Sequence, residues 1–203
     1  MDLDTWGAFL VASVLVLAVP GPTVALILAY ATTQGRRVAL ALAAGVALGD
    51  LAAMTASLAG VGALMLASAT LFTVFKWVGA AYLLWLGIAL WRSGGGAAIP
   101  GKAPAVPAGA VVRRAFVVTA LNPKSIAFFV AFAPQFVDPG APYAPQAAIL
   151  TLSFAALNAV GYALLAERAG RRMRRPSVRR WIARAGGATL VAMAAATAMV
   201  RRV

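Results

Sequence analysis

Two short stretches of this sequence could hold a charged small molecule within an otherwise apolar chain. They are Ala18-Val19-Pro20-Gly21-Pro22-Thr23-Val24-Ala25 and Ala120-Leu121-Asn122-Pro123-Lys124-Ser125-Ile126-Ala127. Proline supplies no N–H, and its ring obstructs the carbonyl one turn back, so each stretch breaks the helix that contains it. A new half-helix then begins. Asn122 is a good N-cap and Pro123 suits the first helical position, and Pro22 can fill the same place after Gly21. The N-terminus of a half-helix carries unpaired N–H groups and partial positive charge, which suit a carboxylate. The candidate binding residues are therefore Pro20, Gly21, Pro22 and Thr23 in the first break, and Asn122, Pro123, Lys124 and Ser125 in the second.

Asp50, within Gly45-Val46-Ala47-Leu48-Gly49-Asp50, is the remaining ionisable candidate. A carboxylate inside an apolar segment is costly and by default marks a substrate or proton site. It could hold a substrate ammonium, bind and release a coupling proton, or act as a structural partner of Lys124 or Lys76. Lys124 would add its charge to the second break. Lys76 could snorkel to the membrane interface. Asn158 reads as a hydrogen-bonding tie between helices. The chain has no Cys and no His, which removes thiol chemistry and imidazole metal sites and points to no metal and no cofactor. With five acidic residues in all, carboxylate catalysis also has little to work with, and the chain does not read as an enzyme.

The elements that position these residues follow from composition. Of 203 residues, 63% are hydrophobic and 11% charged, against about 45–50% and about 25% in soluble domains. Only a bilayer accommodates that much apolar surface. Apolar segments run from about Thr5 to Ala31, Val38 to Ala63, Thr70 to Trp91, Val111 to Phe136, Ala144 to Ala166 and Ala185 to Val200. The last is short and Ala-rich, so the count lies between five and six. Ser93 to Pro107 is a Gly/Pro-rich loop. The start, Met1-Asp2-Leu3-Asp4, is acidic where a signal peptide needs a basic region, so the first segment reads as a retained helix. Trp77, Tyr82, Trp85 and Trp91 read as interfacial anchors or packing groups. Gly45-x-x-x-Gly49 permits close helix approach, within the chain or across a homodimer.

The net charge of +13 comes from cations between alternate segments: Arg36 and Arg37, then Arg92 to Arg114, then Arg168 to Arg184. The positive-inside rule places these connections in the cytoplasm and both termini outside, with only Arg201 and Arg202 against it. The charge is thereby explained without nucleic acid. The Arg168–Arg184 run could also bind anionic lipid. The two breaks lie three segments apart, and three is odd, so the halves would insert upside down relative to each other, as in many secondary transporters.

The order of several short patterns resembles a known family. Pro20-Gly21-Pro22, Gly35-Arg36-Arg37 and Gly45-x-x-x-Gly49-Asp50 are similar to the lysine exporter and homoserine/threonine efflux family (LysE/RhtB). So are Lys76-Trp77-x-Gly79-Ala80-Ala81-Tyr82-Leu83 with Leu86-Gly87, and Leu121-Asn122-Pro123-Lys124 followed by Pro134-Gln135-Phe136. The resemblance runs from about Pro20 to Gln135 and beyond that fades to hydropathy. It implies a bacterial inner-membrane exporter of amino acids or close derivatives, driven by the proton motive force, and leaves basic, neutral and small polar substrates open. Related thiol-reducing carriers need paired Cys and metal exporters His-rich segments, neither present here.

The expectation is an all-α polytopic membrane protein of about six transmembrane helices, in a 3+3 inverted repeat with helices 1 and 4 broken. One transporter domain covers 1–203: a first repeat over about 1–92, a cytoplasmic loop over about 93–110 and a second repeat over about 111–203. Substrate would sit at the two breaks, with Asp50 taking its ammonium or the coupling proton. A pore for small neutral solutes and a membrane assembly protein without transport are the rival readings.

Overall fold

The computed structural model describes residues 1–19, 21–31, 35–93, 106–168 and 176–199. Pro20, most of the Ser93–Pro107 loop, Arg171, Arg172, Arg174, Arg175, Arg201 and Arg202 lie outside them. Helices are α1 (Leu3–Ala18), α2 (Pro22–Ala31), α3 (Gly35–Ala67), α4 (Ala69–Arg92), α5 (Ala108–Ala120), α6 (Pro123–Ala127), α7 (Tyr143–Arg168) and α8 (Pro176–Met199). Among the described residues there is no strand.

Among the described residues, four helices are long and apolar enough to cross a membrane, over Leu40–Leu64, Thr70–Arg92, Tyr143–Leu164 and Arg180–Met199. The pair Ala108–Ala120 and Pro123–Phe136, bent by 43°, makes a fifth when counted as one span. The count falls short of six because the first expected segment is cut into pieces of 16 and 10 residues, each too short alone. The last segment departs from expectation in the other direction. α8 starts at Pro176, not near Ala185, because the Arg-rich stretch continues the helix amphipathically: Arg180, Trp181 and Arg184 are exposed while Ala183 is buried.

Both expected breaks are present. α1 ends at Ala18 with Val19 extended (φ −68°, ψ 121°), and α2 starts at Pro22. α5 ends at Ala120, and Asn122, also extended, caps α6 with its side chain on the Lys124 N–H. After α6 the chain widens into a π turn over Phe128–Phe132 and tightens into a 3-10 turn over Ala133–Phe136. Pro134 removes one N–H there, and the Gln135 amide donates to the Ala131 carbonyl (3.0 Å) and to Thr197 on α8 (2.8 Å).

Small residues set the packing. An added Cβ at Gly45 would strike the Val112 carbonyl and Ala115, and one at Gly49 would lie 2.8 Å from both Phe116 O and Thr119 Cβ. The Gly45-x-x-x-Gly49 face is therefore the α3–α5 contact within the chain. Gly87 and Gly187 do the same for α4 and α8, each backbone carbonyl standing where the other glycine's Cβ would be (2.6–2.8 Å). Helix pairs α3–α7 and α4–α8 are the other main contacts of the bundle.

Candidate functional site

The two breaks meet. The Lys124 ammonium donates to the carbonyls of Val16 (3.0 Å) and Val19 (2.9 Å) at the end of α1. In an unbroken helix the Val16 carbonyl would accept from the N–H of residue 20, and residue 20 is proline. The Val19 N–H reaches back to the Val16 carbonyl (3.1 Å), and the lysine of the second break adds a second donor there and one for Val19, so its cation sits at the negative end of α1. The side chains interlock as well. Asn122 Nδ2 donates to Thr23 Oγ1 (3.3 Å), and the Thr23 and Thr119 hydroxyls lie 3.3 Å apart. Asn122 Oδ1 accepts from the Lys124 N–H (3.1 Å), so the first turn of α6 is capped by its own sequence.

Asp50 lies on α3 beside this junction, 2% exposed. It feels the Lys124 charge, interacts with the Asn158 amide on α7, and acts electrostatically on Tyr162 one turn further along. Its Oδ2 has no hydrogen-bond partner, so Lys124 stands off from that oxygen. A carboxylate oxygen buried without a donor is expensive, and a cation or a proton relieves the cost.

Thr23, Thr119, Asn122, Lys124, Ser125 and Asn158 are all buried as well. They form one polar layer between two apolar clusters. On the first broken helix the order is Phe9 and Val16, the break, then Ile27 and Tyr30; on α3 it is Leu58 and Met54, Asp50, then Val46 and Leu42. On α5–α6 it is Phe132 and Phe128, the break, then Ala115 and Val111; on α7 it is Phe154, Asn158, Tyr162. One cluster is aromatic, with Phe9, Phe128, Phe129, Phe132, Phe136 and Phe154 in mutual ring contact at 4.9–6.4 Å. The other is chiefly aliphatic, and at its edge Arg114 Nη1 donates to Tyr30 Oη (2.7 Å). The layer is closed from both ends.

The expected site residues divide accordingly. Thr23, Asp50, Asn122, Lys124 and Ser125 come together. Gly21 joins them: a Cβ there would lie 3.7 Å from Lys124 Nζ. Pro22 and Pro123 point out of the bundle and serve by breaking the backbone. Lys124 does not simply add to a positive end at its own break. Its ammonium is drawn across to the carbonyl end of α1, where Val19 has no helical donor and the partial charge is negative. Lys76 lies away on α4 over the Trp77 ring (5.4 Å). Sequence reasoning missed Thr119 and Tyr162. Both were discoverable by helical spacing, Thr119 three residues before Asn122 and Tyr162 four after Asn158.

Fold and layer define a helical membrane protein that gathers its polar groups into a sealed interior site. The chain belongs to the LysE-type translocator family, whose model matches residues 14–200. This is a family of translocators, not of enzymes, and the match extends past Gln135 to the last helix. An uncharacterized membrane protein of Vibrio cholerae is 34% identical over 181 residues, 88% of each chain. A homoserine/homoserine lactone efflux protein of Salmonella typhimurium is 33% identical over 204 residues, 99% of each. A leucine efflux protein of Klebsiella pneumoniae is 36% identical over 136 residues, 64% of this chain and 62% of that one. No solved structure matches the chain.

Proposed function

We propose that this protein is a secondary transporter that exports amino acids or close derivatives across the bacterial inner membrane, driven by the proton motive force. The observation that carries the reading is Asp50 Oδ2, buried and unpartnered at the junction of two broken helices. Family membership and relatives named for homoserine and leucine efflux support it. The substrate lies against Pro20–Thr23 and Asn122–Ser125, with its ammonium on Asp50 and its carboxylate toward the first turn of α2 and the Lys124 charge. On the return step a proton takes the place of the ammonium on Asp50, so one carboxylate couples the two fluxes. Alternating access parts the aliphatic cluster on the cytoplasmic side and the aromatic cluster on the other.

This reading counts six spans, with α1–α2 as a broken first and α5–α6 as a broken fourth, in one domain of two inverted repeats (about 1–92 and 111–203) joined by the loop of about 93–110. The packing supports it. α3–α7 and α4–α8 each join spans three apart, and α5 on α3 is answered by α1 and α2 on α7. Asp50 on α3 likewise has its counterpart in Asn158 on α7. Exposed Arg180, Trp181 and Arg184 at the start of α8 suit anionic lipid at the cytoplasmic face.

The test is counterflow in proteoliposomes with leucine, homoserine and a panel of neutral and basic amino acids, with and without a pH gradient. Saturable, gradient-sensitive exchange is expected, and Asp50→Asn should abolish it in protein that still purifies as a folded species. Full gradient-sensitive export by Asp50→Asn would remove the aspartate from the mechanism.

A further inference from the structure

Lys124 balances the charge of Asp50 from across the layer, but its ammonium gives its hydrogen bonds to Val16 and Val19. Asn122 Nδ2 is given to Thr23, whose hydroxyl faces that of Thr119. Asn158 serves the Asp50 carboxylate from α7, yet Oδ2 has no hydrogen bond. The closed layer therefore lacks a donor there, not a countercharge, and a charged acceptor left dry is costly. Tyr162 stands beside it. It lies four residues after Asn158, on the same face of α7, and interacts electrostatically with Asp50. It is 6% exposed, and its ring belongs to the aliphatic cluster with Ile27, Leu42, Val46 and Val111. To donate to Oδ2 the side chain must turn out of that cluster toward the polar layer, and the cytoplasmic seal then loses a ring. In this packing, sealing the cytoplasmic side and serving Asp50 exclude each other.

We infer that Tyr162 is a positioning residue that makes closure of the cytoplasmic seal conditional on the occupancy of Asp50. Its hydroxyl serves Oδ2 while the carboxylate is empty and ionised, and its ring returns to the seal once an ammonium or a proton takes that place. The inference rests on the exporter reading above and deepens it by naming the residue that keeps an unloaded carrier from closing. Among the described residues, the charged and titratable groups around the pair have other partners. Lys124 of α6 faces Asp50 and is held by the end of α1. Tyr30 of α2 shares the cluster of Tyr162 and accepts from Arg114 of α5 (2.7 Å). Lys76 of α4 lies away over Trp77. A two-position side chain between a carboxylate and a seal is a bistable element, and whatever occupies the carboxylate biases it.

The chain has no cysteine, so a single thiol placed in the seal reports its opening. Val111→Cys puts one at a residue 0% exposed, and Leu42→Cys, at 1%, gives a second reporter. Full-length protein in detergent is labelled with a water-soluble maleimide in amino-acid-free alkaline buffer, so that Asp50 is ionised and empty. The thiol should react about tenfold faster with Asp50 intact than in Asp50→Asn, which leaves no anionic oxygen to serve. Tyr162→Phe keeps the ring in the cluster and removes the donor. In that background the difference should shrink to within about twofold. An undiminished difference would overturn the inference, because a tyrosine that only packs predicts no such coupling to Asp50. Transport gives a second readout. In proteoliposomes without a pH gradient, Tyr162→Phe should retain counterflow of labelled leucine or homoserine, whichever exchanges in the panel above. Its net efflux should rise about tenfold, since the emptied carrier can now close and return. Net efflux no faster than that of the wild type would also overturn the assignment while leaving the exporter intact. Absence of counterflow by any amino acid would instead remove the exporter reading, and the labelling comparison would then decide the role of Tyr162 by itself.

Discussion

The two helix breaks look alike in sequence and are satisfied in opposite ways. The second is served locally: Asn122 lies next to Pro123 and caps the turn that follows it (3.1 Å). The first has no such residue. Pro20-Gly21-Pro22 removes two N–H groups within three positions and brings no side chain that could replace them. Beyond the Val19 N–H that turns back onto Val16, its carbonyls are satisfied from the other break, by Lys124, and its Thr23 is held by Asn122 and Thr119. The second break can therefore stand alone, while the first depends on it. A dry interior compels this, because each free backbone group there must find a protein partner.

The largest expected effect comes from taking away the shared donor. Lys124→Met strands the Val19 carbonyl, leaves the Val16 carbonyl with only the Val19 N–H, and leaves Asp50 without its cation, and should cost about 3–5 kcal/mol, the range for breaking a buried charge pair. Thermal unfolding in detergent reads the loss. Pro20→Ala sharpens the point, since it offers Val16 the regular helical N–H beside the tighter bond it takes from Val19. In that background Lys124→Met should cost measurably less, and an unchanged cost would break the account of Lys124 as the replacement donor. Next comes Gly49→Val, whose Cβ enters the α5 backbone at Phe116 and pushes Thr119 from Thr23, for about 1–3 kcal/mol. Asn122→Ala removes the local cap and should cost about 1 kcal/mol. A cost well above that of a cap would show that Asn122 holds the first break as strongly as the second. Smallest is Thr119→Val, below about 1 kcal/mol by its long 3.3 Å contact, with a double-mutant cycle against Thr23→Val giving the coupling.

Much of the fold could be read from the residues. Prolines in apolar runs mark breaks wherever the chain goes, and Asp50 stands out because a carboxylate in such a run has no cheap explanation. The extent of the helices was less legible. Arg180 and Arg184 looked like a loop because they are charged, yet they spiral on one face of α8 with Ala183 beneath. Periodicity there outweighs composition. Gly45 and Gly49 announced a close contact but not its partner, since nothing in a small-residue spacing names the helix that will fill it.

By itself, then, the sequence determined that this is a membrane protein, that two of its apolar segments must break, and which few residues could carry charge within it. These follow from properties each residue brings alone or with near neighbours: hydropathy, a missing N–H, an ionisable group. Tertiary structure decided that Lys124 would answer carbonyls 105 and 108 residues away, and that Asp50 would keep one oxygen without a donor between two apolar seals. Hydrogen bonds and burial depend on positions in space, and only the packing of α1, α3, α6 and α7 sets which donor reaches which acceptor first.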